Sequence, residues 1–144
     1  MKIRNKIAFG INLVPVVAGA LLGLQYWLAP SITAYHKQVI GVPWESLAPG
    51  VQLMLMILMK STGHATLLAA VSIFILMWIP FRQGQNWSRG AILIIGLVLY
   101  VPYGLGAAYL RITTGASSPW WANLLVVLLM IAAFLISGDM KKKE

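Results

Sequence analysis

The chain has 144 residues, of which 60% are hydrophobic and 10% charged, with no cysteine. A soluble domain carries about 25% charged residues, so this composition leaves too little polar surface for one and points to a bilayer as solvent. The net charge of +8 comes without a basic face or recognition motif for nucleic acid, and the lack of cysteine excludes disulfides, thiol catalysis and thiolate metal sites.

The first apolar run, residues 7–29, follows Lys2, Arg4 and Lys6. It is too long for a signal-peptide h-region, and Pro30-Ser31-Ile32 is a poor cleavage site, so it reads as a retained first span. Gly19 and Gly23 form a small-xxx-small pattern, with Asn12 near the same face, which predicts close helix packing. Partner grooves are expected from Ser61, Ala65 and Ser72 in the second span and Gly96 in the third. Tyr26 and Trp27 fall where an aromatic belt belongs. Next comes a polar connection in which Ser31 is expected to cap a short helix, 32–40, that Gly41 ends. Ile32, Tyr35 and Val39 share one face, which predicts a helix lying on the outer membrane surface.

Residues 53–79 form the second apolar run, ended by Pro80, and contain the one basic residue inside a hydrophobic stretch, Lys60. His64 follows one helical turn later, on the same face. The third run, 90–110, carries Pro102 among Tyr100, Tyr103 and Tyr109, and ends at Arg111. Ser118-Pro119 has the pattern of an N-cap and first helical position for the fourth, 120–136. Each run suffices for the helix of about 20 residues that crosses a core about 30 Å thick.

Charge sets the expected orientation. Eight of the 11 Lys and Arg residues lie in the N-terminal segment, the second connection and the C-terminal segment: Lys2, Arg4, Lys6, Arg82, Arg89, Lys141, Lys142 and Lys143. Only Lys37 and Arg111 lie on the other side. Basic residues near span ends stay cytoplasmic, so both termini are expected inside. The fold expected is an all-α polytopic membrane protein, four transmembrane helices in an antiparallel N-in/C-in bundle.

An ionisable residue within a span marks a functional site by default. Lys60 has two readings: a lysine snorkelling its ammonium to the outer interface, or a bundle-facing cation that binds an anionic headgroup. His64 is either a neutral imidazole bonded to a neighbour or part of the same site. Ligation of haem by His64 and His36 is disfavoured by their different segments and depths, and no third ligand completes a metal site. No cofactor is expected. Short connections put the second and third spans side by side, so Lys60, Arg111 and Tyr103 are expected to form the polar floor of an outer-half pocket, with His64 beside it. Two nearby cations call for a shared anion, such as a lipid phosphate.

Four pieces of sequence resemble one known family. They are Tyr35-His36 with Gly41-Val42-Pro43-Trp44-Glu45-Ser46-Leu47; Met59-Lys60-Ser61-Thr62-Gly63; Ile79-Pro80-Phe81-Arg82 with Gly84, Trp87 and Arg89; and Thr113-Thr114 with Pro119-Trp120. Together they are similar to a family of small uncharacterised bacterial inner-membrane proteins with four predicted spans. The resemblance implies that architecture and a bacterial inner membrane, brings no activity, and places a small residue at the position of His64.

No nucleophile-base set, phosphate loop or carboxylate pair can be assembled. The expected function is a non-enzymatic membrane protein, either an accessory subunit or a binder of lipid or another hydrophobic small molecule at its outer half. Its partners would be membrane lipids and a partner membrane protein or a second copy. A small oligomeric transporter or channel is the second class; it would lack the intramembrane acid that ion-coupled carriers use. A membrane-embedded enzyme is the third.

Overall fold

The computed structural model of the protein describes residues 1–138 and is all-helical over them. Its elements are α1 (Ile3–Leu28), α2 (Ala34–Ile40), a 3-10 turn (Trp44–Ser46), α3 (Pro49–Leu76) running into a π-helical turn (Met77–Phe81), α4 (Trp87–Thr114) and α5 (Trp120–Ile136). Lys141, Lys142 and Lys143, used above for orientation, lie outside the described residues. Three helices are long and apolar enough to cross a membrane: Ile3–Leu28, Pro49–Phe81 and Trp87–Thr114. The apolar helix α5 is shorter, at 17 residues, or about 25 Å of rise.

Helix α1 packs most extensively on α3, and the reason is a pair of facing glycines. A Cβ on Gly23 would lie 2.8 Å from the Gly63 carbonyl oxygen and 2.9 Å from the Leu67 nitrogen. The backbones approach this closely only because both residues lack that atom. The expected groove on Gly19 and Gly23 is therefore real, but its partner on α3 is Gly63. Ser61 and Ala65 are exposed. Gly96 faces Met130 of α5 rather than α1. Gly19 admits Tyr100 of α4, whose hydroxyl donates to the Pro15 carbonyl at 3.1 Å.

The core holds Ala8, Val16, Ile73, Met77, Phe81, Ile92, Tyr100, Met130 and Ala133. Phe81 explains why Pro80 does not stop α3. Proline removes one backbone donor, and the helix widens into a π turn instead of breaking, which carries Phe81 into the core at 1% exposure. Its ring lies 6.3 Å from that of Phe9. Beyond it the chain turns at Gly84, whose φ of 81° is left-handed and favours glycine.

The C-terminal end of α5 leaves carbonyls without intrahelical donors, and two arginines supply them. Arg4 Nε donates to the Ile136 carbonyl at 3.0 Å. Arg89 donates through Nη2 to the Phe134 carbonyl at 3.0 Å and through Nε to Ser137 Oγ at 2.8 Å. A cation at a helix C-terminus also meets the negative end of the helix dipole. Arg4 and Arg89 thus join α1 and α4 to α5.

Two caps differ from expectation. Ser31 does not start α2: its Oγ is buried without a partner, and Thr33 is the residue before the helix. Gly41 does end α2, at φ 72°. Ser118 does not cap α5. Its hydroxyl donates instead to the Ala107 carbonyl of α4, and Pro119 occupies the cap position.

Candidate functional site

A concavity of about 420 Å³ sits between α3 and α4 beneath α2. Each wall is a helix face at regular spacing. Leu55, Leu58, Met59 and Thr62 line it from α3, at i, i+3, i+4 and i+7. Pro102, Tyr103, Gly106, Ala107 and Leu110 line it from α4. Leu22 and Tyr26 of α1 form the back, and Tyr35, His36, Val39 and Ile40 of α2 form the roof. Pro119 and Asn123 add an edge from the start of α5. Small residues at Gly106 and Ala107 leave the space empty: a Cβ on Gly106 would meet nothing within 4 Å.

Helix α2 lies across the cavity with no residue fully buried, and Ile32, just before it, is buried at 6% exposure and packed with Tyr26 and Met59. Three polar ties hold it there. The Tyr35 and Tyr26 hydroxyls lie 2.9 Å apart. Gln38 Oε1 accepts from the Ser117 amide at 2.8 Å. Beyond the 3-10 turn, Gln52 Nε2 donates to the Trp44 and Leu47 carbonyls at 2.9 and 3.0 Å, which fixes the chain between roof and wall.

The roof carries polar groups. Thr33 Oγ1 lies 2.7 Å from His36 Nδ1, which orients the ring and leaves Nε2 as its second polar atom. The His36 ring centroid lies 4.0 Å from that of Tyr35, the planes tilted by 36°, and meets Tyr26 edge-on at 5.9 Å. Burial holds the His36 pKa below its ordinary value of 6.5, so the neutral imidazole is favoured at neutral pH. Burial raises the Tyr35 phenol, and its bond to Tyr26 adds to the effect. Among the described residues no Asp, Glu, Lys or Arg lines the cavity.

Of the four residues singled out from the sequence, the structure brings only Tyr103 to this cavity. The Lys60 ammonium donates to the Trp27 carbonyl at 2.9 Å, at the C-terminal end of α1. His64 is exposed, its ring 4.6 Å from that of Trp27. Arg111 Nη1 donates to the Gly115 and Ala116 carbonyls at 2.9 and 3.3 Å, closing the end of its own helix. Lys60 and Arg111 therefore share no floor with Tyr103. Each cation is engaged by a carbonyl at a helix end, where dipole and unsatisfied oxygens attract it.

Tyr26, Tyr35, His36, Thr62 and Asn123 were not singled out together. The signal for them was present in part: Tyr35 and His36 stand four residues before Val39 and Ile40, so both pairs share the face that became the roof. Among the described residues no group of three or more His, Cys, Asp or Glu is placed to hold a metal ion. No protein-family model matches the chain, and no curated protein or solved structure matches it either.

Proposed function

We propose that this is a non-enzymatic integral membrane protein that holds a lipid or another hydrophobic small molecule in the cavity under α2. The observation that carries this reading is the way the cavity opens. Leu58 of α3 is 57% exposed while lining it, and Gly106 and Pro102 of α4 are exposed lining residues too. Its mouth thus faces sideways between two apolar helices, in the direction from which a molecule dissolved in the bilayer arrives. Ligand sites are characteristically concave, mostly apolar and sparsely polar, as this one is.

The membrane reading adds three elements. The three long apolar helices and the shorter α5 all span, α5 being at the short end of the range for a span and thus suited to a thin or locally thinned bilayer. The helices alternate in direction as an antiparallel bundle with both termini in the cytoplasm, so the cavity and α2 lie in the outer half. We infer a bacterial inner membrane, a reading supported by the family resemblance of the sequence. A partner membrane protein or a second copy remains compatible with the broadly exposed apolar faces of α1 and α4.

Native mass spectrometry of gently extracted protein tests the reading. The wild type is expected to carry a retained small apolar adduct. Gly106→Phe, which builds a ring into the empty space, is expected to lose it, while Lys60→Met retains it. A bare wild type, or an adduct lost in Lys60→Met and kept in Gly106→Phe, would overturn the assignment to this cavity.

A further inference from the structure

The polar groups of the cavity are few and uncharged, and their chemistry narrows what the site takes. Tyr35 and His36 line it from α2, Tyr26 from α1, Thr62 from α3, Tyr103 from α4 and Asn123 from α5. Tyr26 and Tyr35 bond to each other, an arrangement that uses one of their two hydroxyl hydrogens and leaves the other. His36 Nδ1 is engaged by Thr33, so Nε2 is the atom left for a guest. Each of these groups is uncharged, and each can offer a donor or an acceptor. Tyr35 and His36, tilted by 36° with ring centroids 4.0 Å apart, and Tyr26, edge-on to His36, make this part of the lining aromatic, and a planar ring packs well against such side chains. The rest of the lining is largely aliphatic, with Leu22, Leu55, Leu58 and Leu110, and the exposed Leu58 marks where it opens sideways.

Resting on the binding role above, we propose that the occupant is a neutral amphiphile with one apolar tail and a planar ring head that carries carbonyl or hydroxyl oxygens, of the quinone or alkylphenol kind. The ring lies under Tyr35 and His36, an oxygen of the ring meets His36 Nε2, and the tail leaves past Leu58 between α3 and α4. An anionic head is disfavoured, because a desolvated charge there would have no cation to pair with. A tail without a polar head is disfavoured as well, since it would leave the roof's donors unpaired. One volume of about 420 Å³ suits a ring with the first part of a single chain.

The test uses three probes on the purified full-length protein in detergent, with affinity read from the ligand dependence of thermal stability. They are decyl-benzoquinone, dodecylbenzene and dodecyl phosphate. The quinone is expected to bind best. One lost neutral hydrogen bond corresponds to about a fivefold change in affinity, so His36→Phe, which keeps a ring under the roof, should weaken the quinone about fivefold and leave dodecylbenzene unchanged. Gly106→Phe should abolish both. Equal affinity for quinone and dodecylbenzene in the wild type, with both lost in Gly106→Phe, overturns the ring-head proposal and leaves the apolar cavity standing. Preference for dodecyl phosphate overturns the neutral head. Binding of none of the probes, together with an adduct-free wild type, overturns the binding role itself.

Discussion

The Tyr35 hydroxyl lies 2.9 Å from the Tyr26 hydroxyl, and this contact ties the seven-residue helix α2 to the long helix α1 across the top of a cavity. A helix this short is unstable by itself in water, so its position depends on what it packs against. Ile32 and the Tyr pair supply that support. Tyr35→Phe and Tyr26→Phe are each expected to cost about 0.5–1.5 kcal/mol, and the double variant about the same as either single one, because both remove one bond. Thermal unfolding in detergent reads the costs. Hydrogen exchange within Ala34–Ile40 should speed up in every variant. Additive costs would mean that the two hydroxyls act separately.

The glycine contacts differ in how far the neighbour can yield. At Gly63 a Cβ would meet the Gly23 carbonyl oxygen and the Trp27 nitrogen, both at 2.8 Å and both backbone. Gly63→Ala is therefore expected to destabilise by about 1–3 kcal/mol, the range for overpacking. At Gly96 the obstacle is the end of the Met130 side chain, which is flexible and can swing aside, so Gly96→Ala should cost less. Gly10 has nothing within 4 Å, and alanine there should be neutral or stabilising by helix propensity alone. Melting temperatures of the three variants in one detergent check the order Gly63, Gly96, Gly10.

Much of the architecture was legible because hydrophobic runs and breakers record it directly. The fourth apolar run was expected at 120–136 and is found at Trp120–Ile136. The other helices extend beyond their apolar runs, since polar residues such as Arg4, Asn5, Gln52 and Arg111 sit comfortably in end turns. Pro80 marks the end of the second helix to within one residue, and the π turn that carries Phe81 into the core is the part no local rule contains. The partners of Lys60 and Arg111 were hidden for a related reason. A charge beside an apolar run is visible in sequence, but the carbonyl that receives it, Trp27 on another helix or Gly115 on the next turn, is defined only by packing. The cavity itself was hidden because it arises from small residues, Gly106 and Ala107, between α3 and α4.

His36 makes stability depend on pH. Burial lowers its pKa in the folded state below the ordinary 6.5, so the unfolded chain binds the proton more readily. The stability it contributes is complete above pH 6.5 and is lost as pH falls through the lower folded value. The groups facing the ring, Tyr26, Tyr35 and Thr33, do not titrate in that window. Melting temperature should therefore fall between about pH 7 and about pH 5, and His36→Phe should flatten the profile. His64→Phe is the control, since His64 stacks on Trp27 away from the roof. A slope that survives in His36→Phe and vanishes in His64→Phe would contradict the assignment.

Orientation is open to a direct check. Under the proposed topology, a reporter inserted within 81–89 reads cytoplasmic and one within 31–47 reads external. The reverse pattern would put α2 and the cavity mouth in the inner leaflet.

The central claim is that a small apolar molecule enters the cavity between α3 and α4, and methyl NMR of methionine-labelled protein reads it most directly. Met59 lines the cavity, whereas Met77 and Met130 are buried in the core at 0% and 1% exposure, and Met54 is exposed on the surface at 58%. Titration with decyl-benzoquinone is expected to shift the Met59 methyl signal in a saturable way, with Met77 and Met130 unmoved and Gly106→Phe silent. A shift confined to Met54, or a non-saturating drift of all methyls, would mean that the probe only coats the outer surface and that the cavity does not bind it.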